Sequence, residues 1–184
     1  MAARGAATGY GAAVELVQLE AVSDRQWREI VAGEREPWGG LGESLLWRER
    51  SRQLGIRAAD GRLVALASAA IAEVEVERAG FPVLGVGGVF VTPSRRGQGL
   101  AARLVGELLA GAPRGARAPR RAMLFCRPEL TGMYGKLGFR EIAAPVWVDQ
   151  PRGRIAMPMT AMWHPLRDGV GWPSGRVDVR GLPF

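Results

Sequence analysis

The sequence predicts an α+β protein in which a mixed, mostly antiparallel central sheet is flanked by helices. Three observations lead to this fold class. Asp60-Gly61 separates two strand-like runs and is a strong hairpin signal. Valines and glutamates alternate over residues 73–77, as in a strand with one buried face. Residues 96–112 carry leucines at helical spacing, which predicts an amphipathic helix.

Length and composition are those of one domain. The chain has 184 residues, of which 47% are hydrophobic, enough for one sizeable core. We expect a flexible, Gly/Ala-rich tail over residues 1–13 and a single domain over residues 14–184. No run of eighteen apolar residues occurs, so no membrane span is expected. The single cysteine, Cys126, excludes an internal disulfide and fits a reducing, cytoplasmic setting.

The charge balance is strongly basic, with a net charge of +7 and an isoelectric point of about 11.0. Such a balance suits nucleic acid, an anionic surface or a phosphate-rich cofactor. The arginines are spread along the chain apart from one cluster at residues 114–121. Basic and aromatic residues do not alternate as they would on a platform for single-stranded nucleic acid. We therefore expect no nucleic-acid partner.

Two helices are expected in the N-terminal third. The first covers residues 23–32, with Ser23 as a candidate cap and an apolar stripe behind it. A Pro/Gly-rich loop follows over residues 34–42. The second helix is expected over residues 43–54, where leucine and tryptophan form an apolar stretch.

Strands follow this helical region. We expect a short strand over residues 55–59, the Asp60-Gly61 turn, and a long strand from residue 63 to 76. A turn at Ala79-Gly80 then leads into a strand over residues 83–91. That strand contains Gly85, Gly87 and Gly88. Glycines weaken a strand, so they indicate a bulge or a close backbone approach.

The remaining chain alternates helices and strands. In order, the pattern predicts a helix over 96–112, a loop over 113–119, a strand over 122–126, a helix over 130–137, two closing strands over 139–148 and 155–163, and a turn-rich tail from residue 169.

The segment with the clearest chemistry joins the strand ending at Val91 to the helix that follows. Its turn reads Arg96-Gly97-Gln98-Gly99-Leu100-Ala101. A helix start leaves backbone N–H groups unpaired, and glycines let an anion approach them. The turn therefore suits a phosphate or pyrophosphate, with an ordinary strand-to-helix turn as the alternative. A triphosphate-binding loop and a dinucleotide-binding loop are both excluded, because their fixed residues are missing.

This turn resembles motif A of the GNAT superfamily of N-acetyltransferases, Arg/Gln-x-x-Gly-x-Gly/Ala, and is complete at every fixed position. The resemblance implies the GNAT fold and acetyl-CoA as cosubstrate. It also implies that the turn N–H groups hold the coenzyme pyrophosphate. The preceding strand, Val89, Phe90 and Val91, would then bind the pantetheine arm and the acetyl carbonyl through its backbone.

A second segment, Tyr134-Gly135-Lys136-Leu137-Gly138-Phe139, resembles motif B of the same family and follows motif A in the family's order. The two motifs and the elements between them extend the resemblance over roughly residues 14–164. It implies that Tyr134 is the general acid that protonates the leaving thiolate. The alternative for Tyr134 is a packed ring whose hydroxyl finds an ordinary partner.

The general base is left open by the sequence. Glu73 and Glu75 are candidates, because they belong to a strand that faces the acceptor cleft in related enzymes, although a solvated strand face would look the same. His164 has a suitable unperturbed pKa but stands beside Pro165 near a strand end, so we interpret it as structural. Cys126 belongs to a buried-type strand, and buried thiols are usually inert. A base acting through water is the remaining option.

The acceptor is expected to be a primary amine on a small molecule, bound near Trp38 and Gly39. The chain has a weaker resemblance to aminoglycoside 2'-N-acetyltransferases, whose turn also reads Arg-Gly-Gln. That group carries an acidic residue where this chain has Gly87, which argues against a polycationic acceptor. Acetylation of a protein N-terminus or lysine, and a non-catalytic coenzyme A-binding module, are the alternatives. No metal is expected, and a homodimer is compatible with the sequence.

Overall fold

The computed structural model describes residues 14–34, 40 and 44–184. The expected tail over residues 1–13, the acceptor residues Trp38 and Gly39, and most of the loop expected over residues 34–42 lie outside this description.

Ten strands and three helices are described. The strands are β1 Val14–Leu19, β2 Arg52–Ala58, β3 Leu63–Val76, β4 Ala79–Val91, β5 Arg121–Cys126, β6 Arg140–Glu141, β7 Val146–Gln150, β8 Gly153–Ala156, β9 Thr160–Pro165 and β10 Val177–Arg180. The helices are α1 Asp24–Val31, α2 Leu100–Ala110 and α3 Thr131–Lys136, and short 3-10 turns cover Pro93–Arg95 and Pro128–Leu130. No helix within the described ranges is long and apolar enough to span a membrane.

The strands form one mixed sheet, in the order β6-β9-β5-β4-β3-β10-β7-β8. The long strand β3 shares one edge between β2, along its first half, and β10, along its second half. Only the β4–β5 and β7–β10 pairs are parallel. The α+β class with a mixed, mostly antiparallel sheet is thus confirmed.

Helix α1 begins where the sequence predicts. The Ser23 side chain accepts a hydrogen bond from the Gln26 backbone N–H, and the Gln26 side chain accepts one from the Ser23 N–H. This reciprocal capping box satisfies two donors that a helix start leaves unpaired. Ile30 is fully buried and, with Phe90 and neighbouring leucines, forms a small core cluster under the helix.

Helix α2 packs on the sheet and fixes the start of the candidate site. Leu104, Val105 and Leu108 are fully buried against β2, β3 and β4. Each such side chain contributes about 1.5–3 kcal/mol of burial free energy. The apolar stripe predicted from the leucine spacing is therefore the surface that anchors this helix.

The prediction of a helix over residues 43–54 is wrong for the residues that the structure describes. Residues 44–51 form no helix, and residues 52–54 belong to β2. The Arg48 N–H donates to the carbonyl of Pro183, and the Ser51 N–H donates to that of Ala69. These bonds to distant segments satisfy the backbone, so the local apolar pattern does not decide its conformation.

Two boundaries near the candidate site also differ from the prediction. Helix α2 begins at Leu100 rather than Arg96, because Gly97 and Gly99 both have φ of 76°, outside the helical region. The turn expected at Ala79-Gly80 lies two residues earlier. Glu77 and Arg78 have φ of 48° and 74°, as in the tight hairpin turn that matches strand twist.

The C-terminal strands are more divided than expected. Residues 139–148 hold parts of β6 and β7, and residues 155–163 hold parts of β8 and β9. Pro145 and Pro158 stand at the breaks and lack the N–H that a continuing ladder needs. The tail beyond residue 169 is not only turns. It contains β10, which fills the place between β3 and β7.

Candidate active site

The main cavity opens where two parallel strands separate. Strands β4 and β5 pair at Leu84, Gly85 and Val86, and then diverge. Beyond Val86 the backbone edge of β4 faces a cavity of about 790 Å³ instead of another strand. Unpaired strand N–H and C=O groups need partners, so this edge can bond an extended ligand.

A bulge shapes β4 beside this cavity. Ser68 of β3 pairs with Gly87 and Leu66 pairs with Phe90, so β4 has one extra residue between the two pairs. The buried Ser68 hydroxyl donates to the Gly87 carbonyl at 2.8 Å. Gly88 has φ of 58°, a conformation that favours glycine. The bulge or close approach expected from the strand glycines is confirmed here.

The turn from Arg96 to Ala101 lines one end of the cavity. Every residue of this turn except Gln98 contributes to the lining. Gly99 caps helix α2 with φ of 76° and offers no side chain, so the N–H groups of the first helical turn have no side-chain cap. A helix of eleven residues also carries partial positive charge at this end. The arrangement can hold an anion.

Arg96 braces the turn against the strand that precedes it. Its Nε donates to the Val91 carbonyl at 3.1 Å, and its Nη2 pairs with the Glu34 carboxylate. The guanidinium carbon lies 5.6 Å from the centre of the Phe90 ring. These contacts fix the direction in which the chain leaves β4 and thereby position the two glycines of the turn.

The charged side chains that line the cavity are all basic. Six basic side chains line it among the described residues, and no acidic side chain or histidine does. They are Arg48, Arg50, Arg95, Arg96, Arg127 and Lys136. Two of them have carboxylate partners just outside the lining, since Arg96 pairs with Glu34 and Arg127 pairs with Glu129. The remaining excess of positive charge favours anionic ligands.

Tyr134 on helix α3 lines the same cavity and is 5% exposed. Its ring packs edge-on against Phe139, with the ring centres 5.9 Å apart. Burial raises the pKa of its hydroxyl well above the usual value, and the nearby Cys126 thiol raises it further. The hydroxyl has no hydrogen-bond partner among the described residues. Its oxygen is not completely buried, so a ligand can reach it. It can therefore donate to a molecule in the cavity.

Cys126 also lines the cavity, at the end of β5, but it is 3% exposed. Burial raises the pKa of its thiol to about 11, with smaller contributions from Glu141 and Glu129. The Sγ lies 3.8 Å from the Met162 sulfur. A protonated, enclosed thiol is a poor nucleophile, which agrees with the structural interpretation made from the sequence.

The other predicted residues lie away from the cavity lining. Glu73 is exposed on β3, and Glu75 of the same strand pairs with Arg180 of β10. His164 on β9 packs against Phe139 and Gly138 and does not line the cavity. The structure thus brings Tyr134 together with the turn and the β4 edge, but brings neither glutamate to them.

The far end of the cavity holds residues that sequence reasoning missed. Its lining includes Trp47, Arg50, Phe125, Met159 and Phe184. The Phe184 ring stacks on Phe125 with centres 5.1 Å apart. These residues come from four separate segments of the chain, and no motif joins them. Only the tertiary fold brings them together.

Comparison with known proteins agrees with this geometry. A family model for the acetyltransferase (GNAT) domain matches residues 35–142. That range includes more than half of the chain together with the turn, the β4 edge and Tyr134. The chain therefore belongs to the GNAT acetyltransferase family, the family its two motifs resemble. No curated protein matches the sequence.

Solved structures of the family share the fold at low sequence identity. A GNAT family N-acetyltransferase (YhbS) of Escherichia coli, solved with CoA, has a TM-score of 0.59 and 17% identity, over 95% of this chain and 93% of that one. The ribosomal-protein-S18-alanine N-acetyltransferase of Escherichia coli has a TM-score of 0.53 and 17% identity, over 87% and 100%. A GNAT acetyltransferase of Brucella melitensis, solved with acetyl-CoA, has a TM-score of 0.50 and 18% identity, over 91% and 96%.

Proposed function

We propose that this chain transfers an acetyl group from acetyl-CoA to a primary amine of a small molecule. One observation carries the proposal. The unpartnered Tyr134 hydroxyl, the unpaired edge of β4 and the uncapped first turn of α2 all face a single cavity. The structural neighbours solved with CoA and acetyl-CoA support the same cosubstrate.

The residues present fit acetyl-CoA. The N–H groups after Gly99 and the basic side chains Arg95 and Lys136 suit its phosphates. The β4 edge from Val89 to Val91 suits its amide-containing arm, because both offer alternating donors and acceptors. The cosubstrate supplies an activated acetyl thioester, and the chain orients it toward the bulge at Gly88.

The chemistry then needs one proton removed and one proton supplied. A neutral amine attacks the thioester carbonyl, the new carbon–nitrogen bond forms, and the carbon–sulfur bond breaks. Tyr134 gives its proton to the departing thiolate, because burial keeps its hydroxyl protonated at neutral pH. Since no carboxylate or histidine lines the described cavity, the amine proton leaves through water.

The test is thiol release from acetyl-CoA in the presence of a panel of amines. The panel includes amino acids, aromatic amines, an aminoglycoside, and peptides with a free N-terminus or a lysine. We expect release with small amines and none with the peptides. Release with peptides alone would replace the small-molecule assignment by protein acetylation. A stability increase on binding coenzyme A, with no release from any amine, would indicate a binding module.

A further inference from the structure

The cavity beyond Gly88 is basic, and the two arginines that line this end have different surroundings. The guanidinium of Arg48 already donates hydrogen bonds to the backbone carbonyls of Leu182 and Arg180. Arg50 lies over Gly88, with its guanidinium carbon 3.0 Å from the place where a β-carbon of residue 88 would stand. Among the described residues it has no hydrogen-bond partner and no carboxylate within ion-pair distance. Its charge is therefore available to a ligand.

The surroundings of Arg50 are apolar. Phe184 lies beside Gly87, next to the place of Arg50, and its ring stacks on Phe125. Trp47 and Met159 line the same cavity. Protein atoms around the guanidinium partly desolvate it, which lowers its pKa from the usual value, although it stays open to the cavity. A charge beside apolar walls interacts more strongly with an opposite charge than it would in bulk water.

We propose that this end of the cavity binds an amine that also carries a carboxylate, with the carboxylate on Arg50. Its apolar group packs on Phe184 and Phe125. The acceptor class is then an amino acid with an apolar side chain. This inference rests on the proposed acetyl transfer and specifies its acceptor. The six basic side chains in the described lining repel a polycationic amine, so this class of acceptor is disfavoured.

The spacing along β4 suits this class. Arg50 lies at Gly88. The proposed orientation of the coenzyme puts the acetyl group near Val89, one residue further along the strand. One residue of strand spans about 3.3 Å. The amine and the carboxylate of one acceptor should therefore be separated by one or two carbons. A guanidinium forms two parallel hydrogen bonds to a carboxylate, which also fixes the orientation of the amine.

Binding of reaction products tests the anion site without requiring turnover. In the presence of CoA, calorimetry should show that the protein binds N-acetyl-L-phenylalanine about tenfold or more tightly than N-acetyl-L-phenylalaninamide. The products carry no amine, so differences in amine pKa do not enter. Arg50→Gln should remove this preference and leave CoA affinity unchanged. Arg50→Lys should keep part of it, and Arg152→Gln, an equal charge change in the β7–β8 turn, should keep all of it.

Equal affinity for the acid and the amide in the unmodified protein overturns the inference, as does a preference that survives Arg50→Gln. Thiol release with L-phenylalanine, L-phenylalaninamide and 2-phenylethylamine separates this result from the transferase proposal. Turnover that is best with 2-phenylethylamine keeps the transferase and overturns the carboxylate site. No turnover with these three amines or with the wider panel, while the acid still binds through Arg50, rejects the acetyl transfer and keeps the anion site.

Discussion

The Phe184 ring occupies the space that a side chain on Gly85 would need. A β-carbon built on Gly85 would lie 2.2 Å from Phe184 Cγ, far inside van der Waals contact. Gly85 belongs to the part of β4 that pairs with β5, just before the two strands separate. The segment that follows β10 therefore packs into a space that is open only because residue 85, almost one hundred residues earlier, is a glycine.

Gly85→Ala should lower the free energy of unfolding by about 1–3 kcal/mol, because the ring or the strand must move. Urea unfolding measures this change. Gly80→Ala is the matched control on the same strand. Nothing lies within 4 Å of its β-carbon position, so its effect should stay within about 0.5 kcal/mol.

The contact itself can be isolated with a double variant. Phe184→Ala alone should cost about 3–5 kcal/mol, since the ring is 7% exposed and stacked on Phe125. In that background the added Gly85→Ala change should cost much less than it does alone, because the obstacle is gone. Additive losses would show that Gly85 is required for another reason.

Tyr134→Phe should lower kcat by roughly 10²–10⁴-fold, the usual contribution of a positioned acid. The hydroxyl bonds no described protein group, so stability and CoA affinity should change little. Steady-state kinetics with parallel calorimetry separates these effects. Because burial raises the pKa of Tyr134, its ionisation should produce no fall in rate near pH 10, where an ordinary tyrosine loses its proton. Unchanged kcat in the variant would remove Tyr134 from the mechanism.

Gly99→Ala should weaken coenzyme A binding by about tenfold. A side chain at φ of 76° is strained by about 1–2 kcal/mol, and relief requires the first turn of α2 to move. Gly106→Ala in the same helix is the control, because nothing lies near its β-carbon and no positive φ is involved. It should stabilise the protein by about 0.5–1 kcal/mol with unchanged affinity. If the two variants bound coenzyme A with equal affinity, Gly99 would not be part of the coenzyme site.

The native protein should react slowly with thiol reagents at pH 8. The pKa of Cys126 is raised to about 11, so roughly one thiol in a thousand is ionised at this pH. Since Cys126 is the only cysteine, full labelling in urea gives the reference rate. Fast labelling of the folded protein would contradict the enclosed position of this thiol.

Sequence reasoning found the part of the site that lies on consecutive residues. The turn from Arg96 to Ala101 and Tyr134 carry local patterns, and the structure brings both to one cavity. The acceptor end could not be found in this way, because Arg50, Phe125 and Phe184 meet only through tertiary packing. Their segments carry no shared spacing.

Two fold errors have equally physical causes. The apolar residues Leu45 and Trp47 imitate a helical stripe. They lie in an irregular segment and pack on the core cluster that includes Val74, Val148 and Val179. Strand β10 had a readable signal, since buried Val177 and Val179 alternate with polar neighbours between two glycines. Four residues were too few for a strand to be predicted from this pattern. The place of β10 between β3 and β7 depends on pairing with residues far away in the sequence.

The single histidine gives a stability test that is independent of catalysis. The Nδ1 atom of His164 is buried from solvent and has no hydrogen-bond partner among the described residues. Burial lowers the pKa of His164 below its usual value. The backbone carbonyl of Pro165 opposes this shift, and the positive charge of Arg140 adds to it. The unfolded chain therefore binds a proton more readily than the folded protein does.

It follows that the free energy of unfolding should fall as the pH falls through about 6.5, the pKa of an unperturbed histidine. No other side chain with an ordinary pKa titrates between pH 7 and 5.5, and the chain has one histidine. His164→Gln, which keeps a polar side chain of similar reach, should remove this slope. Urea unfolding at pH 7 and 5.5 compares the two proteins. A flat profile in the unmodified protein would mean that His164 accepts its proton in the folded state as easily as in water.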